Sequence, residues 1–368
     1  MVVYGGNGFF GRIVVDDLLA NTDVHLVIAS RQSRHSDLVN PRVSFARSDL
    51  NDVVSVEATL SAAAVVVNCA GPYQGQPPTL MRQAIVQRLH YIDLAEEREF
   101  VREAQTLDET AKRAGVTLLS GLSVVPGMAA LLAQSLRDRF DEVRSLRTFV
   151  APGTRGSRGS ATVRTLLGGV GRPLRLLRDG REMTVCGWSE PEWIELPPPI
   201  GWRLEYLAVE NADSDVLFRE FGVERAEFKA GSEFSSLNRS LALIARLRRR
   251  TGFPPLDRGA DTIRKCLKCL GWFGTDAGGV LVEVDGTKNG EAATQQIAVV
   301  AERHGERIPS VLAAIAVGAL SRNELVARGA VPLSTWINKT RFCKELRARG
   351  LKLWLKPLVD AAWHPLTE

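Results

Sequence analysis

Short apolar runs alternate with longer amphipathic stretches over the N-terminal third of the chain, a pattern that predicts repeated strand–helix units. The run AVVVN at 64–68 is apolar until its last residue, as in strands that are buried on both faces. The predicted strands cover residues 1–4, 24–29, 43–46, 64–68, 90–94 and 116–120. Regular spacing of this kind predicts an α/β fold built on a doubly wound parallel sheet of the Rossmann type.

A glycine-rich loop separates the first predicted strand from the first predicted helix. It has the G-x-G-x-x-G spacing of dinucleotide-binding loops, in the run Gly6, Asn7, Gly8, Phe9, Phe10 and Gly11. Gly6 permits the tight turn, Gly8 lets a pyrophosphate approach the backbone, and Gly11 lets the helix pack close to the strand. The helix N-terminus offers free N–H groups to phosphates, so the loop predicts a dinucleotide cofactor. The first strand would span only residues 1–4, which leaves open a natural start further upstream.

The residues after the second predicted strand distinguish NAD from NADP. Chains that bind NAD tend to end this strand with Asp or Glu, which accepts hydrogen bonds from the ribose hydroxyls. Here Ser30 and Arg31 take that place, and no carboxylate is present. A hydroxyl and a guanidinium suit a 2′-phosphate, which predicts NADP(H). The alternative is a solvated basic loop.

Two further strand ends are predicted to contact the cofactor. Asp49 follows the third strand and could reach the adenine end, or could cap the helix that starts near Asp52. Ala70, Gly71 and Pro72 follow the fourth strand. Because ligands of open parallel sheets bind at the carboxyl ends of the strands, we expect these three residues near the nicotinamide.

Composition and charge are those of an ordinary globular protein with more than one domain. The 368 residues are 45% hydrophobic and 24% charged. A net charge of +5 slightly favours anionic ligands and gives no indication of nucleic-acid binding. The start of the chain lacks a basic leader, and the longest smoothly apolar run, 311–320, is too short to cross a bilayer. We expect a cytoplasmic protein.

The cysteines predict neither a disulfide framework nor a metal site. Their number is odd and their spacing irregular: Cys69, Cys186, Cys266, Cys269 and Cys343. Cys266 and Cys269 form a C-x-x-C pair, but a zinc site needs about four ligands and the sequence has no second pair. We interpret the two residues as small apolar positions of a helix.

Two segments resemble the saccharopine dehydrogenase-like NADP-binding family. They are VVNCAGPYQGQPPTLMRQAIVQRLHYIDLAEE at 66–97 and SGLSVVPGMAALLA at 120–133, and the GGNGFFGR loop fits as well. The family includes saccharopine reductases, carboxyspermidine-type dehydrogenases and an enoyl reductase that acts on lipids. The resemblance implies a Rossmann-type domain, NADP(H) and an oxidoreductase activity, and it leaves the substrate open.

The resemblance also implies an inserted second domain, mixed α/β, with an antiparallel sheet. Strands are predicted there at 145–150, 225–234, 280–284 and 295–301, the last two joined by an Asn-Gly turn at 289–290. A helix over 309–320 follows. We expect a dinucleotide-binding domain at 1–123, a substrate and dimerisation domain at 124–307, and C-terminal helices at 308–368 that return to the first domain.

The residues that carry catalysis and substrate binding are less clearly marked. Hydride transfer also needs a proton donor, and strand ends near the nicotinamide are the place to look for one. The candidate catalytic residues are Tyr73, Tyr91 and Asp93. A Gly- and Ser-rich stretch before a predicted helix could bind substrate carboxylates or a phosphate, or could be a solvated hinge. The candidate substrate-binding residues there are Arg155, Arg158 and Arg164.

Residues 236–250, SLNRSLALIARLRRR, predict a basic amphipathic helix. Such a helix could lie on an anionic membrane surface. Arginines also favour a helix C-terminus, so the alternative is a packed helix with a solvated basic end.

The sequence as a whole predicts an NADPH-dependent oxidoreductase that transfers hydride to an imine or carbonyl of a small carboxylate-bearing substrate. One alternative is a trans-acting enoyl reductase on a lipid or polyketide chain. Another is a non-catalytic NADPH-binding or membrane-surface scaffold. The expected partners are a small-molecule substrate and a second copy in a homodimer, with no nucleic acid.

Overall fold

The chain forms two compact units in the computed structural model, which describes residues 1–31, 38–155, 159–252, 256, 262–263, 271–357 and 362–366. The first unit consists of Met1–Met128 and Pro309–Ile337, and the second of Ala129–Ile308 and Asn338–Glu368. Arg158, Cys266 and Cys269, singled out in the sequence, lie outside the described residues.

The strands are numbered along the chain. They are β1 (Val2–Tyr4), β2 (Leu26–Ser30), β3 (Val43–Arg47), β4 (Val65–Asn68), β5 (His90–Asp93), β6 (Thr117–Leu119), β7 (Glu142–Ala151), β8 (Pro173–Arg178), β9 (Arg181–Cys186), β10 (Ser189–Leu196), β11 (Gly201–Leu207), β12 (Arg225–Ala230), β13 (Gly278–Lys288), β14 (Glu291–Ala301), β15 (Gly329–Ala330), β16 (Lys352–Lys356) and β17 (His364–Pro365).

The α-helices of the described residues are numbered in the same way. They are α1 (Phe9–Asn21), α2 (Val53–Leu60), α3 (Thr79–Val86), α4 (Arg98–Thr106), α5 (Asp108–Ala114), α6 (Ala129–Leu136), α7 (Ser160–Gly169), α8 (Asp213–Phe221), α9 (Ser235–Thr251), α10 (Ile308–Ser321) and α11 (Lys339–Ala348). Within the described parts of the chain, no helix combines the length and the apolarity that a membrane span needs.

The first unit is built around a sheet of seven parallel strands in the order β3-β2-β1-β4-β5-β6-β15. The valines of β1 and β4 are buried almost completely, as the apolar runs predict. Strands β2 and β3 lie on one side of β1, whereas β4, β5 and β6 lie on its other side, so the order of the strands reverses between β1 and β4. Open parallel sheets bind ligands at such a reversal, outside the carboxyl ends of the strands. The predicted Rossmann-type fold is confirmed.

The second unit contains a mixed sheet of ten strands. Its main path is β10-β11-β12-β7-β13-β14-β16-β17, and the β8–β9 hairpin attaches to β12. β7 and β12 are parallel, whereas β7 and β13 are antiparallel. β13 and β14 form the predicted hairpin, and both turn residues, Asn289 and Gly290, have positive φ.

The C-terminal segment differs from the predicted helices over 308–368. Only α10 and the residues up to Ile337 belong to the first unit. β16 instead adds a strand to the second sheet, with Leu355 opposite Ile297 of β14. Its sequence KLWLK alternates, so Leu353 and Leu355 are buried while Lys352 is exposed. A period of two favours a strand over a helix.

Candidate functional site

The loop between β1 and α1 can form only with glycines at defined places. Gly5 has φ of +71°, and its carbonyl accepts a hydrogen bond from Gly8 N at 2.8 Å. A Cβ on Gly8 would lie 3.0 Å from the Gly5 oxygen, and a Cβ on Gly11 would lie 2.1 Å from it. Gly11 is therefore obligatory for steric reasons. Gly5, which the sequence analysis passed over, supplies the left-handed turn.

The N-terminus of α1 fits an anionic group. Its N-cap is Gly8, which makes no side-chain capping hydrogen bond, and the first turn carries no acidic residue. By contrast, Asp52 caps α2 and Glu97 caps α4 through their carboxylates. The first N–H groups of α1 thus have no side-chain acceptor at the N-cap. Because Gly8 is exposed, a ligand can reach them. A pyrophosphate supplies acceptors at such a terminus.

The end of β2 carries the residues predicted to select NADP. Asn7 Nδ2 donates to Ser30 Oγ at 3.2 Å, which links the glycine-rich loop to this strand end. Arg31 follows and is exposed. In the parallel register Ser30 lies beside Arg47, the exposed last residue of β3. Sequence reasoning missed Arg47, because its nearness to Ser30 depends on strand pairing.

The sequence left two roles open for Asp49, contact with the adenine end of the cofactor and capping of α2. The capping role belongs to Asp52. The Asp52 carboxylate accepts hydrogen bonds from Val54 N and Ser55 N and caps α2. The Asp49 carboxylate accepts from Asn51 N at 3.0 Å and closes the turn before that helix. Asp49 is partly exposed, so its contact with an adenine nucleoside stays a prediction.

The chain that follows β4 forms an exposed ridge at the switch point. Asn68 Oδ1 accepts from Ala70 N at 3.0 Å, and Gln76 Nε2 donates to the Ala70 carbonyl at 3.2 Å. Gly71 and Pro72 are exposed beyond this anchored residue. The ridge thus lies where the sequence predicts the nicotinamide half of the cofactor.

The three candidate catalytic residues are all buried. Tyr73 Oη donates to the Asn68 carbonyl at 2.8 Å and accepts from Leu94 N at 3.3 Å. Tyr91 is fully buried, and its oxygen lies 3.3 Å from Asn68 Nδ2. Burial raises the pKa of both phenols well above the ordinary value, with Asp93 adding to the effect. These hydrogen bonds fix the ends of β4 and β5.

Asp93 links the ends of β5 and β6. Its carboxylate accepts from Ala95 N at 2.9 Å, from Gly121 N at 2.7 Å and from Ser120 Oγ at 2.8 Å. Burial raises its pKa to about 6, while these hydrogen bonds act in the opposite direction. A fully buried carboxylate with three donors is suited to holding backbone in place.

Glu96 is a partly exposed acid just beyond the end of β5, which it follows by three residues. Burial, together with the charges of Asp93 and Glu97, raises the pKa of its carboxyl to about 7. Glu96 could not be selected from the sequence, because its raised pKa depends on burial that only the folded chain produces.

Two of the predicted substrate-binding arginines lie among the described residues of the second unit. Arg155 is exposed in the loop between β7 and α7, and Arg164 is exposed on α7. Glu233 anchors that loop, since its carboxylate accepts from Thr154 N at 3.1 Å and from Thr275 N at 2.9 Å. The anchoring gives Arg155 a defined place on the surface.

One group of described side chains has the spacing of a cation site. Ligand atoms of Asp276, His304 and Glu306 lie within 4.8 Å of one another. His304 is exposed, and its Nδ1 lies 3.3 Å from the Glu306 carboxylate and 3.7 Å from that of Asp276. The backbone N–H of His304 also donates to the Asp276 carboxylate at 2.9 Å, so hydrogen bonding within the turn brings the three residues together.

A comparison with known families identifies the first unit. Residues 1–119 match the family described as the saccharopine dehydrogenase NADP binding domain. This part of the chain belongs to that family. The NADP-binding domain makes the chain an NAD(P)-dependent oxidoreductase with NADP(H) as its cofactor. The glycine-rich loop, the uncapped α1 and the basic end of β2 fit that cofactor.

Solved structures show that the likeness in fold extends over the whole chain. Saccharopine dehydrogenase (L-Glu forming) from Saccharomyces cerevisiae matches 97% of this chain and 99% of its own, with a TM-score of 0.69 and 16% identity. At that identity the match establishes the fold alone. An engineered D-amino acid dehydrogenase bound to NADP+ matches 95% of this chain and 98% of its own, with 16% identity and a TM-score of 0.45. That score is too low to support an argument.

Proposed function

We propose that the chain is an NADPH-dependent reductase that acts on a C=N or C=O bond of a small carboxylate-bearing substrate. The observation that carries this proposal is Glu96, a partly exposed carboxyl with a pKa of about 7 at the cofactor edge of the NADP-binding domain. A general acid is most effective when its pKa lies near the working pH. Such a group is suited to donating a proton to nitrogen or oxygen.

The chain's own residues divide the binding of the cofactor among three strand ends. The loop at Gly8 and the start of α1 accept the pyrophosphate, while Ser30 and Arg31 bind the 2′-phosphate. The ridge at Gly71 and Pro72 positions the nicotinamide. NADPH, when bound, supplies the hydride.

Glu96 completes the reduction by delivering the second hydrogen. Reduction of a C=N or C=O bond adds a hydride to carbon and a proton to the heteroatom. In this proposal the Glu96 carboxylic acid gives that proton and becomes a carboxylate. Solvent reprotonates it, since the side chain is partly exposed. Asp93, Tyr73 and Tyr91 hold the strand ends that position Glu96 and the nicotinamide.

Substrate carboxylates are the proposed ligands of Arg155 and Arg164 in the second unit. Arginine binds carboxylates through a planar, two-pronged geometry, and both residues are exposed. Replacing Arg155 with Ala should raise KM for such a substrate by roughly tenfold or more, the loss of a charge-assisted hydrogen bond. The matched control is Arg181→Ala, which removes an exposed arginine from β9. A cytoplasmic location and a homodimer belong to the same proposal.

Oxidation of NADPH with a panel of acceptors tests the function. The panel pairs 2-oxo acids with amino acids, which form imines in solution, and sets them against enoyl thioesters. We expect turnover with the carboxylate-bearing imines or with the free 2-oxo acids. Turnover with enoyl thioesters alone would replace this proposal with the lipid-chain reductase. NADPH binding without turnover on any acceptor would favour the scaffold.

A further inference from the structure

Helix α9 packs through one side against the other described residues of the second unit. Asn238, Ala242 and Ala245 are buried, and the two alanines join a cluster with Leu204 and Tyr206 of β11. Asn238 Nδ2 donates to the Leu204 carbonyl at 2.9 Å, which fixes the N-terminal half of the helix beside β11. The predicted core packing of this helix is thus present, and no described residue covers Leu243 and Leu247 on the opposite face.

The outward face of α9 combines leucines with arginines. Leu243 and Leu247 are 66% and 55% exposed and lie one helical turn apart. No acidic residue occurs in Ser235–Thr251. Beside the leucines lie exposed arginines that form no ion pair with any described residue: Arg239, Arg246 and Arg250.

Two exposed indoles lie on the same sheet face that α9 covers. Trp193 of β10 is the cross-strand partner of Leu204, and Trp202 lies two residues before Leu204 in β11. Side chains at these positions share one face of the sheet, and Leu204 on that face packs against α9. The two indoles are 50% and 60% exposed. Aromatic, aliphatic and cationic groups therefore occupy one side of the second unit.

The chemistry of this side fits a lipid bilayer with anionic headgroups. Unpaired guanidinium groups complement phosphate and carboxylate headgroups, whereas leucine side chains gain by entering the acyl boundary. Tryptophan favours the interface between the two. A nucleic acid would account for the arginines and the indoles, but it offers no apolar layer for Leu243 and Leu247 in the middle of the basic face.

We propose that the outward face of α9, with Trp193 and Trp202, docks the second unit on an anionic membrane surface. The helix lies in the interface plane and does not cross the bilayer. This proposal is independent of the reaction, because it needs none of the residues of the NADP-binding domain.

Vesicle co-sedimentation of the full chain tests the proposal. The vesicles are phosphatidylcholine alone and a phosphatidylcholine–phosphatidylserine mixture. We expect binding to the mixed vesicles that weakens with salt, and little binding to phosphatidylcholine. The triple variant Arg239→Ala, Arg246→Ala, Arg250→Ala should bind roughly a hundredfold more weakly, about fivefold for each arginine. The pair Leu243→Ser and Leu247→Ser should lose about tenfold or more.

Matched control variants distinguish a specific docking surface from the effect of removing any exposed charge or any exposed apolar side chain. Arg113→Ala, Arg181→Ala and Lys344→Ala remove three exposed charges elsewhere, and Val54→Ser with Val86→Ser removes two exposed helical valines of the first unit. Both sets should bind vesicles like wild type, and every variant should retain NADPH binding as a check of folding. Failure of wild type to bind the mixed vesicles would overturn the proposal. An equal loss of vesicle binding in a control set would also overturn it. So would binding to an oligonucleotide that is tighter than binding to vesicles and is unchanged by the leucine substitutions.

Discussion

The carbonyl oxygen of Gly5 lies 2.1 Å from the point that a Cβ on residue 11 would occupy. The first strand end and the first turn of α1 therefore approach as closely as backbone atoms permit. This contact brings the uncapped N–H groups of α1 to the switch point of the sheet, where the NADP-binding domain needs them.

Gly11→Ala should abolish measurable NADPH binding, because the new methyl group must displace Gly5 or α1. Fluorescence titration with NADPH measures the loss. The matched control is Gly115→Ala at the C-terminus of α5, where φ is +71° but no atom lies within 4 Å of the new Cβ. That variant should lose about 1 kcal/mol of stability from backbone strain and bind NADPH normally. Normal NADPH binding by Gly11→Ala would contradict the steric account.

Arg31→Ala should weaken NADPH binding by roughly ten- to a hundredfold and leave NADH binding nearly unchanged, since only NADPH carries the 2′-phosphate. Arg47→Ala should have a smaller effect of the same kind, because Arg47 lies beside Ser30 on the neighbouring strand. Titration of each variant with both cofactors measures this selectivity. Arg113→Ala, an exposed arginine of α5, is the control. Equal weakening of NADPH and NADH would remove Arg31 from the 2′-phosphate site.

Tyr73→Phe should reduce stability without changing the pH profile of the reaction. The hydroxyl bonds to the Asn68 carbonyl and to Leu94 N, so its loss should cost about 1–3 kcal/mol. Chemical denaturation measures the stability, and initial rates across pH measure the profile. Tyr91→Phe, whose oxygen also bonds within the core, is the companion variant. A profile that changes with either tyrosine would make that residue the proton donor, as the sequence analysis proposed.

Glu205→Gln should stabilise the folded chain at alkaline pH. Glu205 is fully buried, and burial raises its pKa from 4.5 to about 8. This carboxyl ionises near pH 4.5 in the unfolded chain but only near pH 8 in the folded chain. Its contribution to the free energy of unfolding is therefore fully present below pH 4.5 and is lost as pH rises towards 8.

The substitution Glu205→Gln removes the titratable carboxyl, so the variant does not lose this part of its stability as pH rises. The Tm of Glu205→Gln relative to wild type should therefore be higher at pH about 8 than at pH about 5, by roughly 1 °C for each kcal/mol involved. Glu57→Gln, an exposed glutamate of α2, should show no such difference. A constant Tm difference across this range would show that Glu205 is ionised in the folded chain.

The features of the cofactor site that could be predicted from the sequence depend on residues that are close together in the chain. Gly6, Gly8 and Gly11 mark the loop through local spacing, and Arg31 follows directly from the end of β2. The strands over 173–207 were missed although they form two local hairpins, β8–β9 and β10–β11, whereas β16 becomes a strand by pairing with the distant β14. Glu96 was missed because its raised pKa depends on burial in the folded chain. The roles given to Tyr73, Tyr91 and Asp93 stay predictions.

The pH dependence of NADPH oxidation in Glu96→Gln decides whether Glu96 donates the proton. The protonated carboxyl is the donor, so wild-type kcat should fall as pH rises through about 7. Glu96→Gln should lower kcat by roughly a hundredfold or more and lose this fall, with NADPH affinity unchanged. Glu57→Gln should behave like wild type. A Glu96→Gln enzyme that keeps the wild-type rate and pH profile would contradict the account.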